Sequence, residues 1–211
     1  MDTLSSPDGT TIAYDSHGEG PALILVDGAL TVHSSGSGAE LAKLLAPHFT
    51  VYGFDRRGRG ESGDTLPYAV DREIDDIEAL IDRAGGSAFL YGHSSGGPLA
   101  MRAAIRLGSK VSKIAMYEPP YNNDPGVQES WSQYLRQLKQ ALAEGRRGDA
   151  VTLFMRFVGT PPSRSRVCAA RRPGRAWKPS RRRWPTTTPP SWASPGRCRR
   201  NWPCVSRSPL S

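Results

Sequence analysis

The sequence predicts an α/β fold, a mostly parallel sheet with helices on both faces, and three observations carry that prediction. Strand-length apolar runs alternate with helix-length amphipathic segments over residues 1–118. Most of the runs are apolar throughout, as strands buried on both faces are, and glycine or proline marks most of the changes of element.

The elements follow in order. "TLSS" and "TTIAYDS" flank Pro7, Asp8 and Gly9, which predicts a hairpin of the first two strands. "PALILVDG" is a third strand ending at Gly28, and "AELAKLLAPHF" carries Leu41, Leu44 and Leu45 at helical spacing. "TVYGFD" is the fourth strand, followed by the loop "RRGRGESGD". "AVDREIDDIEALIDRAGG" places Ile74, Ile77, Leu80 and Ile81 on one helical face and stops at a glycine pair. "SAFLYG", "GGPLAMRAAIRLGS" and "VSKIAMYEPP" read as strand, helix and strand. Over residues 127–158, "WSQYLRQLKQALAEG" and "DAVTLFMRFV" are amphipathic and predict an added helical layer.

Charge divides the chain. All 20 acidic residues and 15 of the 28 Lys and Arg lie within residues 1–160, a net −5, and the other 13 basic residues lie in the rest. The overall +8 therefore describes neither part. Cys168, Cys198 and Cys204 also fall in the basic stretch, with no histidine near them, so neither a disulfide framework nor a metal site is expected. No apolar run approaches the roughly 18 to 20 residues of a membrane span. The opening "MDTLSSPDGT" lacks the basic and apolar regions of a signal peptide, which gives the expectation of a cytoplasmic protein.

The stretch "FLYGHSSGGPLAM" fits G-x-S-x-G in one register, Gly92-His93-Ser94-Ser95-Gly96, between a predicted strand and a predicted helix. In such a turn the serine is strained and exposed, and its neighbours two positions away must lack side chains for the chain to fold back. Gly92 and Gly96 meet that need. The following helix directs unbonded N–H groups toward negative charge forming beside the serine. A plain glycine-rich turn is the alternative.

With these residues in place the chain resembles the α/β-hydrolases, in their serine branch, over about residues 5–160. "GHSSGG" resembles the nucleophile elbow, "FDRRGRGES" the D-x-R-G-x-G-x-S loop after the fourth strand, and "VDGAL" the His-Gly oxyanion loop after the third. The resemblance implies Ser94 as nucleophile, the N–H groups of Ala29 and Ser95 as oxyanion donors, and hydrolysis of a small-molecule ester or related acyl substrate with no cofactor. Asp27 stands where the family usually has histidine before Gly28, and its carboxylate is expected to discourage anionic substrates. By the same analogy residues 1–121 are the N-terminal part of the hydrolase core and residues 122–161 the start of a helical cap.

The family's acid and histidine follow the serine, yet all four histidines, His17, His33, His48 and His93, precede it. His93 is the x of the motif, with its side chain expected to point away from the serine. His33 is a loop or pocket residue within reach of the site. Glu118 closes the sixth strand, as a stand-in acid or as part of a structural "YEPP" turn. Residues 162–211 are rich in arginine and proline, without acid or periodic pattern, and are expected to be disordered. One reading is a basic arm that binds nucleic acid by charge. The favoured reading is a shifted frame of GC-rich DNA, in which case no specific nucleic-acid partner is expected. Read two bases later from Pro162 with free synonymous codons, the tail permits an acid-containing continuation that closes on the strand-like "VRVTVPTL". On that reading the acid, the histidine and the last two strands are lost, leaving the sixth strand as an apolar edge.

Overall fold

The computed structural model describes residues 1–35 and 37–159, so the expectations for residues 162–211 lie outside the described residues. The predicted hairpin is formed by β1 (Asp2–Ser5) and β2 (Thr11–His17), with Asp2 opposite Tyr14 and Ser5 opposite Thr11. Its turn is closed by Ser6 N–H donating to the Thr10 carbonyl at 2.8 Å and by Thr10 N–H donating to Asp8 Oδ1 at 3.0 Å. Gly9 takes φ +80°, a conformation that a Cβ disfavours.

Four further strands, β3 (Ala22–Val26), β4 (Thr50–Phe54), β5 (Ala88–His93) and β6 (Val111–Tyr117), complete a sheet in the order β1-β2-β4-β3-β5-β6. β2 meets β4 antiparallel, whereas β4, β3, β5 and β6 run parallel. The sheet is thus mostly parallel, and the carboxyl ends of its parallel strands share one edge.

Each helix lies near its predicted place: α1 (Ser37–Leu45), α2 (Val70–Arg83), α3 (Gly96–Leu107), α4 (Pro125–Ala143) and α5 (Arg147–Phe157). The stripe of α2 is wholly buried at Ile74, Ile77, Leu80 and Ile81, and packs with Leu99, Ala100 and Ala103 of α3 against Ile24, Val26 and Leu90 of the sheet. On the other face Leu41, Ala42 and Leu45 of α1 cover Leu23, Leu25 and Val51. Helices therefore flank both faces, as the apolar strands require.

α4 starts at an Asp124 cap whose carboxylate accepts from the N–H groups of Gly126 and Val127, at 2.8 and 3.1 Å. Together α4 and α5 enclose a separate cluster built on Tyr134, Leu138, Ala141 and Ala150, with Phe157 stacked on Tyr134 and Trp131 tilted against it. No described helix is long and apolar enough to cross a membrane.

Candidate active site

The elbow is built by a strand that ends abruptly. β5 delivers the chain to Ser94, which adopts φ +50°, and α3 leaves two residues later. A left-handed conformation is costly for serine, so the surroundings must enforce it. Ser94 N–H donates to the Tyr117 carbonyl at 2.9 Å, and Gly97 N–H donates to the Ser94 carbonyl at 3.0 Å. A Cβ on Gly92 would stand 2.6 Å from both the Gly96 carbonyl oxygen and Gly97 Cα, and one on Gly96 would overlap the Val26 carbonyl. The two glycines are therefore required by close backbone approach.

The loop after β3 lies against this turn. A Cβ on Gly28 would stand 3.2 Å from Ser94 Cβ and 3.3 Å from the His93 carbonyl oxygen. Leu30, two residues on, takes φ +62°. Asp27 is buried, and burial pushes its carboxyl pKa up. Its carboxylate faces the first turn of α1, where a Cβ on Gly38 would lie 2.7 Å from Oδ1.

Two arginines from the loop after β4 hold the Asp27-Gly28 backbone. Arg56 Nη1 donates to the Asp27 carbonyl at 3.1 Å and to Ser95 Oγ at 3.4 Å. Its own position is set by a bidentate pair with Glu73 of α2, at 2.6 and 2.8 Å, and Tyr68 Oη donates to the same carboxylate at 2.7 Å. Burial works against the Glu73 carboxylate, but the Arg56 charge and hydrogen bond hold its pKa well below the ordinary range. Arg59 Nη1 donates to the Gly28 carbonyl at 2.6 Å, and Thr31 Oγ1 donates to the same oxygen at 2.9 Å. Burial, reinforced by the charge of Arg56, pulls the Arg59 guanidinium down to about 9.

Arg57 is stapled elsewhere. Fully buried, it reaches Asp76 of α2 at 2.8 and 2.6 Å and Asp8 of the hairpin turn at 2.8 Å. Ser62 donates to the Asp55 carbonyl at 2.6 Å and accepts from Ala13 N–H at 2.9 Å, which ties the same loop to β2.

His33 is held between two carboxylates, with Nδ1 at 2.9 Å from Asp55 and Nε2 at 2.8 Å from Asp15. Its N–H also donates to Asp55 at 2.9 Å. The Asp55 hydrogen bond, helped by Asp15, raises the His33 pKa above its ordinary value. Both ring nitrogens are thereby engaged by carboxylates. His17, opposite Val51, and His48, just before β4, sit at the amino ends of the parallel strands, the far end from Ser94. The His93 ring lies 5.8 Å from that of Tyr117, and its Nδ1 is buried without a hydrogen-bond partner among the described residues. None of the four hydrogen-bonds to Ser94 among the described residues. Glu118 follows β6 with φ +49° and an exposed side chain.

The sequence reading brought Ser94, Ser95, Gly28 and Ala29 to one place and passed over Arg56, Arg59 and Glu73. A signal existed: Glu73 and Asp76 interrupt the buried stripe of α2 with acids, and inward acids require cations. No group of three or more His, Cys, Asp or Glu placed to hold a metal occurs among the described residues.

Known proteins agree with this architecture. The profile of the alpha/beta hydrolase family matches residues 29–210, so it also runs through most of the basic stretch. A pimeloyl-(acyl-carrier protein) methyl ester esterase from Nitrosospira multiformis is 31% identical over 155 residues, 70% of this chain and 57% of that protein. An N-formylmaleamate deformylase from Pseudomonas putida is 33% identical over 143 residues, 65% of this chain and 52% of that one. The chain thus spans little more than half the length of these relatives. The crystal structure of an alpha/beta hydrolase from Sphaerobacter thermophilus superposes with a TM-score of 0.68 at 46% identity, covering 85% of this chain and 68% of that one. With elbow, sheet order and family profile in agreement, the chain belongs to the alpha/beta hydrolase family.

Proposed function

We propose that this chain is a serine hydrolase by descent, built for acyl transfer from a small ester to water through an acyl-enzyme on Ser94. The observation that carries the reading is the strained Ser94 at the β5–α3 turn with Gly28 packed against its Cβ. In this reading Ser94 Oγ attacks the ester carbonyl carbon and loses its proton to a base. The carbonyl oxygen takes the negative charge and is met by the N–H groups of Ser95 and Ala29. The alcohol departs with a proton, and water then releases the acid and restores the serine. An esterase and a deformylase among the relatives support acyl chemistry. Residues 122–161, including the α4–α5 pair, take the role of the start of the cap.

None of the four histidines hydrogen-bonds to Ser94 among the described residues, which supports weak or no turnover. In the same reading the base was lost with a change of frame near Pro162, which sequencing the coding DNA around residues 159–165 tests; an intact frame in independent clones removes that part. The chemistry is tested with a fluorophosphonate probe, with and without added imidazole as a surrogate base. Labelling that is slow, accelerated by imidazole and lost in Ser94→Ala supports the nucleophile. No labelling even with imidazole overturns it.

A further inference from the structure

Among the three arginines around Gly58, Arg59 differs from Arg56 and Arg57. Arg56 is paired with Glu73 and Arg57 with Asp76 and Asp8, but among the described residues Arg59 forms no ion pair. It is nonetheless half-buried, and its hydrogen bond goes to a backbone carbonyl, that of Gly28, at 2.6 Å. A half-buried cation without a carboxylate is costly, and a loop arginine facing solvent would avoid that cost. Here the charge is directed at one peptide dipole.

That peptide joins Gly28 to Ala29. It is trans and planar, so its C=O and N–H point in opposite directions, and whatever holds the oxygen also sets the direction of the Ala29 N–H. Gly28 has no Cβ to restrict its backbone to one orientation of this peptide, and the left-handed Leu30 shows that the loop already departs from extended geometry. Arg59 and Thr31 together hold that oxygen, while Arg56 holds the preceding carbonyl. We infer that Arg59 is a positioning residue: by holding the Gly28 carbonyl, it keeps the Ala29 N–H turned to receive the oxyanion formed at Ser94. A turned-over peptide would instead present a carbonyl oxygen to the forming negative charge and repel it.

The inference rests on the reading of Ser94 as nucleophile, and its test separates the two. Arg59→Met keeps the length and removes the donor; Arg59→Lys restores a donor; Thr31→Val removes the second donor to the same oxygen. One readout is the carbonyl 13C resonance of Gly28 and the amide resonance of Ala29 in the isotopically labelled full chain, which needs no chemistry at Ser94. The other is the imidazole-assisted rate of fluorophosphonate labelling. Arg59→Met is expected to move both resonances and to slow labelling about tenfold or more, since a donor of this kind is worth about 100-fold or more when lost outright. Arg59→Lys is expected to recover most of the rate. Thr31→Val moves the Gly28 resonance with a smaller loss of rate, and serves as the test if Arg59→Met does not fold. Unmoved Gly28 and Ala29 resonances in the folded variants, or unchanged labelling in Arg59→Met, overturn the inference. Resonances that move while the unsubstituted chain resists labelling remove the nucleophile reading and leave the peptide's dependence on Arg59 standing.

Discussion

His33 donates toward two carboxylates at once, which only the protonated ring can do. Its folded pKa is raised, so its contribution to stability is complete below the unfolded value of about 6.5 and is lost as pH rises through the folded value. For Asp55 and Asp15 burial opposes the charge, but the His33 hydrogen bond and further donors hold both pKa values low; their contribution is present above about 3.9 and lost as pH falls through the folded values. The cluster is therefore most stabilising between about pH 4 and about pH 6.5. Melting temperatures taken from about pH 5 to about pH 10 should fall on the alkaline side, and His33→Gln should flatten that limb. An equally steep limb in the variant would place the effect elsewhere. Arg57 makes a second prediction: Asp76→Asn leaves a fully buried guanidinium with one carboxylate, and urea unfolding should show a loss of about 3 kcal/mol.

At the scale of elements, the strands and helices were legible because burial writes itself as periodicity. The run "ALILV" is β3, and the stripe from Ile74 to Ile81 is the buried face of α2. The hairpin was legible from Pro-Asp-Gly and the elbow from two glycines, since each is a local steric demand. The arginine supports were not, because an ion pair such as Arg56 with Glu73 joins residues 17 apart by a geometry that no spacing encodes. His33 is a similar case: its partners lie on β2 and at the end of β4, so its loop position alone suggested a site neighbour. The elbow's steric demand is testable. Gly92→Ala would drive a methyl to 2.6 Å from the backbone of Gly96 and Gly97, and chemical denaturation should show a loss of about 3 kcal/mol. A neutral result would mean that the turn relaxes without strain.

For the molecule as a whole, β6 is an edge of the sheet among the described residues, and Ser112, Lys113, Ala115 and Tyr117 along it are exposed. It is more polar than the apolar edge expected from "KIAMY", yet it still offers backbone groups and a large aromatic to a second chain. Ala115→Lys adds a charge to this face and should raise the soluble yield with little change in melting temperature; unchanged yield would show that the edge is not what limits solubility. The same strand bears on the serine. Ser94's amide is bonded to Tyr117, so the backbone of Ser94 is anchored to the strand at this margin of the sheet. Fraying at that margin would release the turn without unfolding the core, and Ser94's amide should exchange with solvent at the pace of the β6 amides. The readiness of the serine is then governed by how often the sheet opens at its border, a local equilibrium separate from global stability.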